Sequence, residues 1–328
     1  MNPNIKVQEG DLGDYDILEK QASIASIVIS KSPLSRYGDS TLTQDPPPDC
    51  GPDLFHNNSI SALLRGLSSQ TNRSVFYIGT TGAARVWDES GALNSRVWDD
   101  VNDIDEILSL ATTHAETDTL VLSSNTANLR TALISPGYVI GVSPSKSHPL
   151  PSSYPDLFRV LRQLGTGFFI GEGNARISLV ETGLLAALYV RLVGDALQRI
   201  SRADVQDNNT SAWGPQAYYF AANTEYSIRD FIQIAFQAMR AQGGSVLTIS
   251  DEMKSVSREE VVKLVEERIN DSPYADVWAD FIAKMYSVNM RVKGTRAEKM
   301  LGFKWEGNDG VAESVRSYLN TNFSGGDI

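Results

Sequence analysis

The chain has 328 residues, 41% hydrophobic and 21% charged, enough apolar material to bury a core as one large domain or two smaller ones. Its 29 basic and 40 acidic residues give a net charge of −11, which repels nucleic acid and anionic membrane surfaces, and no basic cluster offsets it. Cys50 is the only cysteine, so an intrachain disulfide is excluded and a reducing compartment fits better than a secretory one. The first twenty residues carry Lys6, Glu9, Asp11, Asp14, Asp16 and Glu19 without an apolar run, and no later stretch approaches a membrane span. The sequence reads as a soluble cytoplasmic protein with neither nucleic-acid nor membrane partners.

From Ile5 to about Ile140, short apolar runs alternate with helical patterns, the signature of parallel strands joined by crossover helices. Ile27-Val28-Ile29, Val75-Phe76-Tyr77-Ile78 and Leu129 to Ile134 are the buried-strand candidates. Ile60, Leu63, Leu64 and Leu67 repeat at the spacing of one helix face between the first two. Residues 36–52, with Pro46-Pro47-Pro48 at their centre, read as an inserted surface loop. Beyond Pro136 the helices lengthen. Ser227 with Asp230, Ser257 with Glu260 and Thr295 with Glu298 each have capping-box spacing. Ile228, Phe231, Ile232, Ala235 and Met239 give one helix an apolar face that runs out at Gly243-Gly244, and a further helix covers Leu184 to about Leu197. Residues 324–328 read as a frayed tail.

Several segments, in order, resemble the extended short-chain dehydrogenases, the NAD-dependent epimerase/dehydratase type. Val7 to Asp14 resembles the third strand and turn of their dinucleotide domain, and Ile27 to Ser30 the fourth strand. Tyr77-Ile78-Gly79-Thr80-Thr81-Gly82 resembles the fifth strand, and Leu133 to Gly141 the sixth with its Pro-x-x-x-Tyr-Gly-like exit at Pro136. Phe169 to Arg176 resembles a glycine-rich hairpin, and Thr295 to Phe303 the C-terminal helix. Trp98 to Leu108 and Tyr218 to Ala221 look most like an uncharacterised fungal group. The resemblance implies an α/β fold: a Rossmann-like doubly wound parallel sheet over residues 1–142, with a smaller α/β substrate domain over 143–323 interleaved with it. It also implies NAD or NADP as cofactor, with Asp11, Leu12, Ser30 and Pro136 at its site, a small-molecule substrate, and a homodimer paired through helices. Thr81 matches the hydroxyl that holds the substrate oxygen.

Two features of the family are missing. If strand three begins near Ile5, the first β-α-β unit, roughly 30 residues with the glycine loop that cradles the pyrophosphate, has no counterpart. The expectation is an N-terminally truncated member, missing an exon or naturally short, with weak cofactor binding. None of the 12 tyrosines has a lysine four positions later, the pair with which the family moves the substrate proton. At the expected place, 33 residues after Thr81, stands His114-Ala115-Glu116-Thr117-Asp118. The resemblance makes His114 the expected proton donor, with a helix-surface histidine beside acidic neighbours as the plainer reading. Leu179-Val180-Glu181 replaces the family's Val-His-Val and alters a substrate-domain contact.

Metal binding has no support, since His56, His114 and His148 are scattered and Cys50 stands alone. No Gly-x-Ser-x-Gly elbow is present. Asp99-Asp100 reads as a turn-side pair. The functional expectation is an NAD(P)-dependent oxidoreductase or epimerase acting on a small carbonyl compound or a nucleotide sugar. The rival is a catalytically silent relative that serves as a binding or scaffold module.

Overall fold

The computed structural model describes residues 4–30, 57–90, 93, 95–143, 151, 153–202, 212–242, 252–267, 275–307 and 310–322. The loop read into 36–52, the glycine pair at 243–244 and the tail 324–328 lie outside these residues. In chain order the first half holds α1 (Tyr15–Ala22), β1 (Ile27–Ser30), α2 (Asn57–Ser68), β2 (Val75–Thr80), a 3-10 turn (Ala83–Val86), β3 (Trp98–Asp99), α3 (Ile104–Ser109), α4 (Ala115–Ser123), β4 (Leu129–Pro136) and β5 (Tyr138–Ile140). There follow α5 (Tyr154–Leu164), β6 (Phe168–Ile170), β7 (Arg176–Glu181), α6 (Thr182–Ser201), β8 (Tyr218–Ala221), β9 (Thr224–Ser227) and α7 (Ile228–Ala241). The last elements are β10 (Lys254–Val256), α8 (Arg258–Glu266), α9 (Ala275–Met285), β11 (Val292–Lys293), α10 (Thr295–Leu301) and α11 (Val311–Asn322).

The principal sheet runs β1-β2-β4-β8, every pair parallel. Because side chains alternate across a strand, the run Val75-Phe76-Tyr77-Ile78 serves two cores at once. Val75 and Tyr77 pack with Leu64, Leu67 and Leu122 of α2 and α4, while Phe76 and Ile78 pack with Leu188, Leu192 and Leu301 of α6 and α10. The sheet is therefore covered on both faces, the doubly wound arrangement read from the sequence. β8 joins it from the C-terminal half, so the two halves of the chain share the same sheet. A second sheet, β5-β7-β9, anchors α5, α7, α9 and α11, whose Phe158, Phe231, Ile282 and Leu319 extend the larger core.

Three expectations need correction. Residues 5–10 are exposed and form no strand. In the doubly wound order 3-2-1-4-5-6 a third strand is separated from the fourth by two others, and no described segment lies beyond β1 to pair with it. β6 and β7 do not form a hairpin: β6 pairs with β10, and β7 with β5 and β9, while Gly171 and Gly173 turn the chain at positive φ between them. The Thr295–Glu298 capping box is not made either. Gly294 precedes the helix, and the Thr295 hydroxyl donates instead to Asp99 Oδ2 at 2.5 Å. Ser227 and Ser257 do cap α7 and α8, accepting from the amides of Asp230 and Glu260 at 3.0 and 3.1 Å.

Candidate active site

The carboxyl ends of parallel strands face a crevice in a doubly wound sheet. Here Ser30, Thr80 and Pro136 end β1, β2 and β4, and Thr81 follows directly. The amide of Thr81 still donates to Ile134 O at 2.8 Å, so the ladder fixes its backbone. Its side chain is buried, and its Oγ1 makes no hydrogen bond although it lies beside Asp118 and Tyr218, close enough to influence both. An unpaired buried hydroxyl costs free energy, and in a crevice it is a group available to a ligand oxygen.

His114 comes to the same edge on the turn into α4. It is 5% exposed, and its φ of 70° makes it the non-glycine residue with positive φ among those described. The imidazole lies against Gly82, where an added Cβ would stand 2.7 Å from Nε2. Its Nδ1 has no partner. Burial, reinforced by the Arg85 charge, pushes its pKa down to about 4, so the ring is neutral at physiological pH. The surface-histidine reading is thus set aside.

One helical turn later Asp118 is fully buried, its Oδ2 accepting from Arg85 Nη1 at 3.0 Å and its Oδ1 unpaired. Burial pushes this carboxyl up to about 7, against the opposing pull of the Thr81 hydroxyl and Arg85. The Tyr218 phenol, donating to Ser135 Oγ at 3.0 Å, is likewise raised well above its usual range, by burial first and then by Asp118. Thr81, Arg85, His114, Asp118 and Tyr218 therefore form one buried polar group. Arg85 and Tyr218 escaped the sequence reading because their partners lie 33 and 83 residues away.

The residues expected at a cofactor divide. Ser30 and Pro136 stand half-buried at neighbouring strand ends, and Ser30 O accepts from the Thr80 hydroxyl at 3.2 Å. Leu12 reaches this edge from the N-terminal segment, its carbonyl accepting from Ser59 Oγ of α2 at 2.6 Å. Asn57 of α2 meets the Thr117 hydroxyl of α4, also at 2.6 Å, which joins the starts of the two helices. Asp11 is exposed and occupied locally, its Oδ1 accepting from the Gly13 amide. Glu181, expected to alter a substrate contact, caps α6 by accepting from the Leu184 amide at 3.1 Å. It also borders a cavity of about 430 Å³ with Gly141, Gly183, Glu306, Gly310 and Glu313, whose described lining has no basic side chain.

Solved structures that share this architecture include dehydratases and epimerases. A dTDP-glucose 4,6-dehydratase from Streptomyces venezuelae, solved with NAD bound, superposes with a TM-score of 0.58 at 12% identity, over 98% of this chain and 81% of the other. UDP-glucose 4-epimerase from Thermotoga maritima gives 0.53 at 11% identity, over 98% and 86%. A human epimerase family protein with NADPH gives 0.52 at 12% identity, over 93% and 86%. The fold is that of the extended short-chain dehydrogenases. A curated relative, the oxidase ucsJ of Acremonium sp., is 24% identical over 318 residues, 92% of this chain and 80% of its own length. No family model matches the chain. Among the described residues no helix is long and apolar enough to cross a membrane, and no cluster could hold a metal ion.

Proposed function

We propose that this chain is an NAD(P)-dependent oxidoreductase or epimerase-like enzyme acting on a small carbonyl compound or a nucleotide sugar, with Thr81 holding the substrate oxygen and His114 moving the proton. The observation that carries this reading is the convergence, at the carboxyl edge of β2, of an unpaired buried hydroxyl and a buried neutral imidazole. The residues fit the nicotinamide end of a dinucleotide, because Ser30, Thr81 and Pro136 line three neighbouring strand ends. Bound there, the dinucleotide supplies hydride exchange with the substrate carbon. Among the described residues no glycine loop leads into a helix N-terminus to take the pyrophosphate, so affinity rests on the remaining contacts and is expected to be weak.

In the oxidising direction a neutral imidazole accepts the substrate hydroxyl proton; in the reducing direction it returns that proton to the oxygen. Thr81 fixes that oxygen.

Calorimetric titration with NADPH and NADH, paired with turnover of a panel of aldehydes, ketones and nucleotide sugars, tests the reading. Binding weaker than micromolar is expected, with His114→Ala losing turnover by about 100-fold or more while its dinucleotide affinity is kept. Unchanged turnover in that variant removes His114 from the chemistry. Absence of binding to either dinucleotide at millimolar concentration leaves the catalytically silent binding module.

A further inference from the structure

Arg85 is buried to 1% exposure, and its guanidinium donates to the segment that delivers His114. Nε donates to Ile107 O at 2.8 Å, Nη2 to Leu108 O and Leu110 O at 2.9 and 3.2 Å, and Nη1 to Asp118 at 3.0 Å. Its own carbonyl accepts from Thr112 Oγ1 at 2.6 Å. These bonds bracket His114 in sequence, from Ile107 at one end to Asp118 at the other, and the Asp118 amide closes the turn by donating to His114 O at 2.9 Å. A guanidinium is a planar permanent cation with donors in a fixed fork, which suits it to hold several acceptors in one geometry. The chain thus commits a buried arginine to the segment from Ile107 to Asp118, within which His114 has a left-handed backbone.

Resting on the proposed role of His114, we propose that Arg85 is the positioning residue of this site. It builds the left-handed turn that aims the imidazole at Gly82, and it confronts the ring with a fixed positive charge. The residue at the lysine place, Asp118, holds Arg85 rather than acting on substrate. The cation thereby enters from the turn after β2 instead of from α4. Arg85 is the charged group that faces both His114 and Asp118, and the Tyr218 phenol of β8 faces Arg85 and Asp118. The strand ends add the Thr81 and Ser135 hydroxyls, the α3 side adds backbone carbonyls, and α2 meets α4 through Asn57 and Thr117. The depressed basicity of His114, to which the Arg85 charge contributes after burial, agrees with this arrangement.

Arg85→Met combined with Asp118→Leu removes both charges without orphaning either. Histidine ring resonances, with His114 assigned by its loss in His114→Ala, then report the protonation of that ring. In the double variant its titration midpoint moves upward by about one pH unit or more, and the acid limb of kcat/KM moves with it. A folded double variant with an unshifted His114 midpoint overturns the proposal. Arg85→Lys, which keeps the charge and loses the fork, provides the second arm. Its midpoint stays near that of the wild type while kcat falls about tenfold or more, and an unchanged kcat overturns the positioning role. A shifted midpoint together with full turnover in His114→Ala upholds the hold of Arg85 on the ring and sinks the proton role of His114 instead.

Discussion

A left-handed backbone costs a residue that carries a Cβ about 1–2 kcal/mol, and His114 accepts that cost inside a buried turn. Glycine would relieve it, so the side chain is what the position retains. Gly82 is the complementary half of the arrangement, since any β-carbon there meets the imidazole. Gly82→Ala should therefore destabilise the fold by about 1–3 kcal/mol through overpacking and lower turnover by displacing the ring. In a His114→Ala background the same methyl enters vacated space, so the double variant should be less destabilised than the sum of the singles. Denaturant midpoints of the four proteins close this cycle, and strict additivity would show that the two residues do not press on one another. At this scale the family resemblance, rather than any local pattern, singled out Thr81 and His114, and both are buried at the end of β2. It hid Arg85, because an arginine followed by Val86 and Trp87 gives no sign that its partners lie at Ile107, Leu108, Leu110 and Asp118.

Elements were legible where burial on two faces left a continuous apolar run, as in β2 and β4, or where a hydroxyl and a carboxylate stood three apart at the starts of α7 and α8. They were misread where pairing depends on distant chain. β6 finds β10 some 86 residues on (Phe168↔Lys254), and nothing local distinguishes that parallel partner from the adjacent β7. Asp99-Asp100 is the clearest case. A turn-side acidic pair in the sequence becomes a buried latch, in which Asp100 accepts from the amides of Phe220 and Arg296 at 2.8 and 2.7 Å. Asp99 meanwhile accepts from the Val101 and Asn102 amides and from Thr295. The latch ties β8, the last strand of the main sheet, to the start of α10. Asp100→Ala leaves two buried amides unpaired and should cost about 2–5 kcal/mol, seen as a lowered urea midpoint. A loss below about 0.5 kcal/mol, the range of ordinary surface changes, would mean that water replaces the carboxylate.

For the whole molecule the buried carboxyls set a pH dependence of unusual sign. Asp100 and Asp118 are raised to about 7 by burial. The native state keeps their protons while the unfolded chain releases them, and the stability present below the unfolded pKa is lost as pH rises from about 4 to 7. His114, lowered to about 4, contributes the opposite sign: the unfolded chain takes up its proton between about pH 6.5 and 4, so this group gains stability as pH rises through that window. Two carboxyls against one imidazole leave a net loss of stability toward neutrality, and the accumulating charge of the acidic chain, −11 at pH 7, adds repulsion in the same direction. On the acid side, Glu225 limits the gain. Arg291 and Arg176 hold its carboxyl below the usual range although burial opposes them, so its contribution disappears as pH falls through that lowered value. The balance predicts a stability maximum well on the acid side of neutrality, at about pH 4–4.5, measured as urea midpoints across pH 3.5 to 8. His114→Gln should steepen the decline between about pH 4 and 6.5 by removing the opposing group. A maximum above pH 7 would show that Asp100 and Asp118 are ionised throughout, with Arg85 and the two latched amides offsetting their burial.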